Sequence, residues 1–217
     1  MWRLAFIEMD DEPHQNMAKI WECVKSFYSA NATPTQYTSL TIHSFCDGNF
    51  PCKDWPKLKG SGAEVKDLLP AISDCWHEHA RKDGAQLVSQ ALTSLEEVQT
   101  IFHDYAKDVI LPLDVCDSLV KHTDAFLLTY QRLAAEAEAA GAMLWSCPTK
   151  FHVFHHLARR ARYINPRKTN CFLDEDFVGK VKVLVHSCAH GSEQYAMTTK
   201  MMEKYRWLLH FIASDNV

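Results

Sequence analysis

The 217-residue chain is poor in glycine, with seven in all, and none of its eight cysteines forms a Cys-x-x-Cys pair. So little glycine excludes a turn-rich β-sandwich or barrel. No run approaches the roughly 20 apolar residues that a membrane span needs, so no membrane partner is expected. The opening "MWRLAFIEMDDEPH" meets acids at Glu8, Asp10 and Asp11. It lacks a small-residue cleavage signature and is not read as a secretory signal. Its abrupt start reads as that of a piece of something longer. Without a signal or a disulfide-like spacing, the cysteines are expected to be reduced thiols packed as small hydrophobes. The expected compartment is intracellular, nuclear or cytoplasmic. One further absence is local: residues 150–168, "KFHVFHHLARRARYINPRK", hold no acid, but three histidines and six basic residues.

Elsewhere the composition is that of a folded chain, 47% apolar and 23% charged, long enough to bury a sizeable core. The net charge of −4 is unevenly divided. Residues 148–217 carry 11 Lys/Arg against 6 Asp/Glu, whereas residues 1–147 carry 12 against 21. We therefore expect an acidic helical body over 1–147 and a basic helical segment over 148–217 packed on it as one folded unit. Such asymmetry suits a polyanionic partner, and equally two halves that attract each other.

Helical periodicity dominates, so the expected fold is all-α: a bundle of about seven or eight helices with one irregular loop near 46–62. Acids and Pro13 open a helix carrying Met17, Ile20, Trp21, Val24 and Phe27/Tyr28 at helical spacing. Val65, Leu68, Leu69, Ile72, Cys75 and Trp76 mark a second, which Pro70 should kink or start. A third follows Leu87, Ala91, Leu95, Val98, Phe102, Tyr105 and Val109. A fourth runs from Leu113 to near Gly141, about 40 Å at 1.5 Å per residue. Met197, Met201, Tyr205, Leu208 and Ile212 stripe the last helix. Two short stretches, "QYTSLTIHSF" and "KVKVLVH", carry enough β-branched residues or alternation to leave a strand open.

On a helical wheel at about 100° per residue, Phe151, Phe154, Leu157, Ala158 and Ala161 fall together, with Val153 and Ile164 on the same half. His152, His155, His156, Arg159, Arg160, Arg162 and Tyr163 take the other half. Three readings stay open. His152 and His156 have the four-residue spacing of metal ligands on a helix, but Arg159 and Arg160 oppose a divalent ion, and no metal site is expected. Arginine forks suit phosphate oxygens, so a polyanion-facing surface comprises Lys150, His152, His156, Arg159, Arg160, Arg162, Arg167 and Lys168. The third reading is a solvated or salt-bridged face, set against the acidic body. Asp174, Glu175 and Asp176 then precede a helical pattern. They read as capping and dipole partners, or as carboxylates for Mg²⁺.

"FPCKDWPKLKGSGAEVKDLLP" and "KFHVFHHLARRARYINPRKTNCFLDEDFVGKV" resemble the C-terminal part of transposase-like proteins abundant in eukaryotic, including algal, genomes. Their relatives are cut-and-paste transposases of the acidic-triad type with an RNase H-like catalytic domain. Lys150, His152 and His156 match a Lys-x-His-x-x-x-His helix of that group, and Asp174, Glu175 and Asp176 stand where an acidic segment follows it. The resemblance implies DNA as partner. It implies catalytic carboxylates among Asp174, Glu175 and Asp176, with Glu175 filling the place of the last acid. No cofactor is expected for this chain alone; Mg²⁺ would enter only with a complete catalytic domain. The other two acids lie on upstream strands that this sequence does not offer. The chain then stands as a helical C-terminal portion, not catalytically complete alone, whose partner is the missing catalytic part or another protein. The alternative class is a non-enzymatic protein–protein interaction module. A self-contained Cys/His or metal hydrolase would need a nucleophile beside a base, and no local motif places one.

Overall fold

A computed structural model describes residues 1–46, 55–80, 85–169, 182–183, 185–188 and 194–214, the side chains of 194, 195 and 208–214 aside. Helix is the only regular structure among the described residues. A π-helical turn, Leu4–Glu8, leads into α1 (Pro13–Ala30), and a 3₁₀ turn, Ile42–Phe45, precedes α2 (Gly62–His79). Then come α3 (Ala85–Asp104), α4 (Leu113–Ala139), α5 (Lys150–Arg160), a 3₁₀ turn at Pro166–Thr169 and α6 (Gln194–Ser214). The chain divides into two compact units, Met1–Thr169 and Asn170–Val217. The charge boundary at 147/148 does not coincide with that division, since α5 belongs to the first unit. No helix among the described residues is long and apolar enough to cross a membrane.

Neither strand option materialises where it can be seen. Ile42–Phe45 forms its 3₁₀ turn under a capping box between Thr41 and Ser44, and residues 182–183 and 185–188 are helical. In both places a side-chain cap or neighbouring helical residues override a short run of β-branched types.

Helix ends follow local chemistry. Pro13 occupies the first turn of α1, where its missing N–H costs nothing. Ser61 caps α2: its hydroxyl accepts from the Glu64 amide at 3.2 Å, and the Glu64 carboxylate accepts from the Ser61 amide at 2.7 Å. Pro70 neither starts nor ends α2 but sits inside it. Gly60 has φ +154°, and a Cβ there would meet the Tyr37 hydroxyl at 2.0 Å. That hydroxyl donates to the Lys59 carbonyl at 2.9 Å, so the close approach requires glycine. α4 ends one residue before Ala140, and Gly141 follows at φ +66°, the left-handed stop expected there.

The largest core joins the π-turn, α1, the 3₁₀ turn at 42–45 and α2 through Leu4, Ile20, Val24, Ile42, Leu68 and Trp76. Asn16 is fully buried beside it and donates to the carbonyls of Ala5 (2.8 Å) and Asp11 (2.6 Å). Farther along, α3 packs most extensively against α4, and α5 against α4. Val98, Val115, Leu119, Ala158 and Ala161 fill one part of that seam. Ala91, Phe126 and Leu127, backed by Tyr130, Phe151 and Phe154, fill the other. Val109, expected on the α3 stripe, lies beyond the helix and is exposed.

Cys23, Cys75, Cys116, Cys147 and Cys188 are free. Cys46 is disulfide-bonded, which corrects the expectation of reduced thiols at that position. Bridging depends on the approach of two side chains in space, which spacing along the chain does not encode.

Thr123 of α4 is fully buried, and its hydroxyl finds no hydrogen-bond partner among the described residues. An unpaired buried hydroxyl is destabilising. Thr123→Val should therefore stabilise the protein by about 1 kcal/mol, read as a higher urea midpoint at unchanged slope.

In the second unit, Lys204 donates to the Ser187 carbonyl at 3.3 Å and to its hydroxyl at 3.1 Å. Cys188 is buried. Met197, Met201 and Tyr205 of α6 are half-buried, while Met202 and Trp207 are exposed.

Candidate nucleic-acid interface

The apolar side of α5 docks on α4 through aromatic edges. Phe151 meets Phe126 at 5.7 Å and Tyr130 at 4.7 Å, both nearly perpendicular, and Phe154 meets Phe126 at 6.3 Å. Edge-to-face pairs of this kind fix orientation as well as burying area. Tyr130 also donates to the Ser146 carbonyl at 3.1 Å, tying the segment before α5 to α4. Burial within this seam pushes the Tyr130 phenol up to about 12.

The helix is rotated from the expected wheel. Val153 is 58% exposed, whereas His155 is half-buried. The cause is a pair of acids on α4. His155 Nδ1 lies 3.1 Å from Asp124 Oδ1, Arg159 Nη2 lies 3.0 Å from Asp124 Oδ2, and Arg159 Nε donates to His155 Nε2 at 2.9 Å. Those bonds assign His155 the neutral form with its proton on Nδ1, since Nε2 must accept. One turn on, Arg162 Nη2 reaches Asp117 Oδ1 at 2.8 Å. The hydrogen bond and charge of Asp117 raise the Arg162 pKa further. As numbering rises along α5 it falls along α4, so the two helices run antiparallel. α5 ends at Arg160, and Ala161–Tyr163 form a turn, short of the helix expected through Ile164.

Asn165 closes that turn. It is fully buried, and its Nδ2 donates to the carbonyls of Tyr105 (2.8 Å) and Asp108 (2.9 Å). Its Oδ1 accepts from the Arg167 amide at 3.0 Å, and its own amide donates to the Val109 carbonyl at 2.8 Å.

What remains outward on α5 is a stripe at four-residue intervals: His152, His156 and Arg160, all exposed. His152 and His156 point at each other, with Nε2 atoms 3.0 Å apart. The charge of His152, then desolvation and the guanidinium charges of Arg160 and Arg159, lower the His156 pKa. Lys150 stands exposed at the start of the helix, and Lys168 exposed beyond the turn, with Arg167 half-buried beside it. Among the described residues, no carboxylate pairs with Lys150, Arg160, Arg167 or Lys168. An open groove of about 650 Å³ runs between α4 and α5, lined by Leu127, Leu128, Cys147, Phe151, His152 and Asp124 among others.

The structure thus splits the expected basic set. Arg159 and Arg162 are engaged by α4, whereas Lys150, His152, His156, Arg160, Arg167 and Lys168 are not. Asp174, Glu175 and Asp176 lie outside the described residues. Among the described residues no group of three or more His, Cys, Asp and Glu is arranged to hold a metal. Sequence reasoning missed Asp117 and Asp124 as partners. The available signal was spacing: they stand seven apart on α4, two turns, as do His155 on α5 and Arg162 in the turn that follows it. No family model matches the chain, and neither a curated protein nor a solved structure matches it.

Proposed function

We propose that the chain is the helical C-terminal portion of a transposase-like, DNA-associated protein, not catalytically complete alone, and that α5 with the turn after it faces the phosphate backbone. One observation supports this reading: a cluster of cations on one short stretch that no carboxylate among the described residues compensates. Lys150, Arg160, Arg167 and Lys168 have no carboxylate partner among the described residues, in a chain of net charge −4. Arg159 and Arg162 form a reserve. Their pairs with Asp124 and Asp117 are largely solvent-exposed. Exposed pairs are worth about 0.2–1 kcal/mol, so a duplex phosphate can compete for either guanidinium. The catalytic part of the reading, with Glu175 as the last acid beside Asp174 and Asp176 and Mg²⁺ supplied by a complete domain, rests on sequence resemblance alone.

The test is duplex binding by fluorescence polarisation between 50 and 200 mM salt. Lys150→Gln with Arg160→Gln and Lys168→Gln should weaken binding and make the log K against log[salt] slope shallower by about 3, roughly one per lost phosphate contact. Asp117→Asn with Asp124→Asn should free two arginines and steepen it. A duplex that fails to bind, or slopes equal in all three proteins, overturns the proposal.

A specific observation favours the second reading, a protein–protein interaction module. Val109, Ile110 and Leu113 are 60%, 65% and 70% exposed, and Asn165 draws their turn against the one bearing Tyr163, itself 81% exposed. Clustered apolar exposure of this kind marks protein contact surfaces. Under that reading Ile110→Asp abolishes partner binding and the glutamine variants do not. Under the DNA reading the pattern is reversed.

A further inference from the structure

We propose that His152 and His156 form a two-histidine site for a late first-row divalent ion, Ni²⁺, Cu²⁺ or Zn²⁺, on the outer face of α5. This goes beyond the DNA reading and does not depend on it. The two Nε2 atoms face one another 3.0 Å apart, with ring centroids at 4.4 Å and planes at 87°. With metal–nitrogen bonds of about 2.0–2.1 Å, adjacent ligands stand about 2.9 Å apart at a right angle and about 3.3 Å apart at the tetrahedral angle. The observed separation falls between those limits. An ion can replace the proton shared between the two Nε2 atoms with little side-chain movement; that proton leaves to solvent, and both rings remain neutral with their own protons on Nδ1. Imidazole is a suitable ligand for all three metals.

The neighbours decide how many ligands the chain supplies. His155 is excluded as a third: its Nε2 accepts from Arg159 and its Nδ1 is bonded to Asp124. No other His, Cys, Asp or Glu among the described residues completes a set of three. The remaining positions therefore open to water, or to an oxygen donor from a partner. The sequence argued against a metal because Arg159 and Arg160 flank the histidines. Here the Arg159 charge is taken up by Asp124 at 3.0 Å. Arg160 remains and weakens the site without closing it.

The probe is ZnCl₂ added to the full chain, because Zn²⁺ imposes no geometry of its own. Thiols elsewhere also bind Zn²⁺, so the readout is the assigned imidazole ¹⁵N signals. Those of His152 and His156 should move together with one midpoint, while those of His155 stay. His152→Gln should raise the Zn²⁺ concentration that moves His156 at least tenfold, and His156→Gln should do the same for His152. Urea midpoints equal to that of the parent protein establish that the variants are folded. A His156 midpoint within twofold of the parent in His152→Gln overturns the proposal. So do two signals moving with different midpoints, since a shared ion requires one.

Discussion

Asn165→Asp should cost the first unit about 3–4 kcal/mol of stability, more than Asn165→Ala at the same position. The amide of Asn165 is used at every atom. Both Nδ2 hydrogens go to main-chain carbonyls, of Tyr105 at 2.8 Å and Asp108 at 2.9 Å, and Oδ1 takes the Arg167 amide. A carboxylate keeps the acceptor but turns the donor into an oxygen facing two carbonyl oxygens. Two bonds are lost, and a charge is buried facing two carbonyl oxygens with only the Arg167 amide to offset it. Alanine loses the same bonds but adds no repulsion, so it should fall between aspartate and the parent. Urea unfolding reads the difference as a lower midpoint at unchanged slope. An aspartate variant no worse than alanine would show that water, rather than the fold, already satisfies those carbonyls.

Trp76→Ala should cost about 3–5 kcal/mol, the usual range for deleting a large buried aromatic. The indole is 1% exposed in the largest core. Its Nε1 donates to the Ser89 hydroxyl at 3.0 Å, and that hydroxyl donates on to the Ala85 carbonyl at 3.1 Å. The side chain thus ties α2 to the first turns of α3 by packing and by a directed bond. Trp76→Phe keeps most of the apolar contact and loses the donor, and its cost should lie between alanine and the parent. Equal midpoints for phenylalanine and tryptophan would show that the bond to Ser89 contributes nothing.

The two residues differ in how far they could be read beforehand. Trp76 sits on a stripe with Leu68, Ile72 and Cys75, and burial of such a stripe follows from helical geometry. The lengths of α1 and α4 were legible for the same reason, and so was the terminator at Gly141. Asn165 was legible only as half of an Asn-Pro turn. Its partners stand about 60 residues away, and nothing in the local pattern points to them. The same holds for α5. Its periodicity gave the helix and the apolar side of Phe151, Phe154 and Ala158. The rotation that exposes Val153 and draws in His155 was set by Asp117 and Asp124, acids on another element. The basic face read as one surface from the sequence, but tertiary charge pairing divides it into engaged and unengaged cations.

The Asn165 bonds carry a kinetic corollary. They span 57 and 60 residues, whereas the α3–α4 hairpin closes over a handful. Closing the longer loop is entropically more demanding, so these bonds form after the hairpin. Their loss should then fall on the unfolding limb of a chevron plot and spare the folding limb. Asn165 serves as a latch on the finished fold: with it gone, the chain would assemble at its usual speed and come apart sooner. A slowed folding limb would place the latch earlier in assembly.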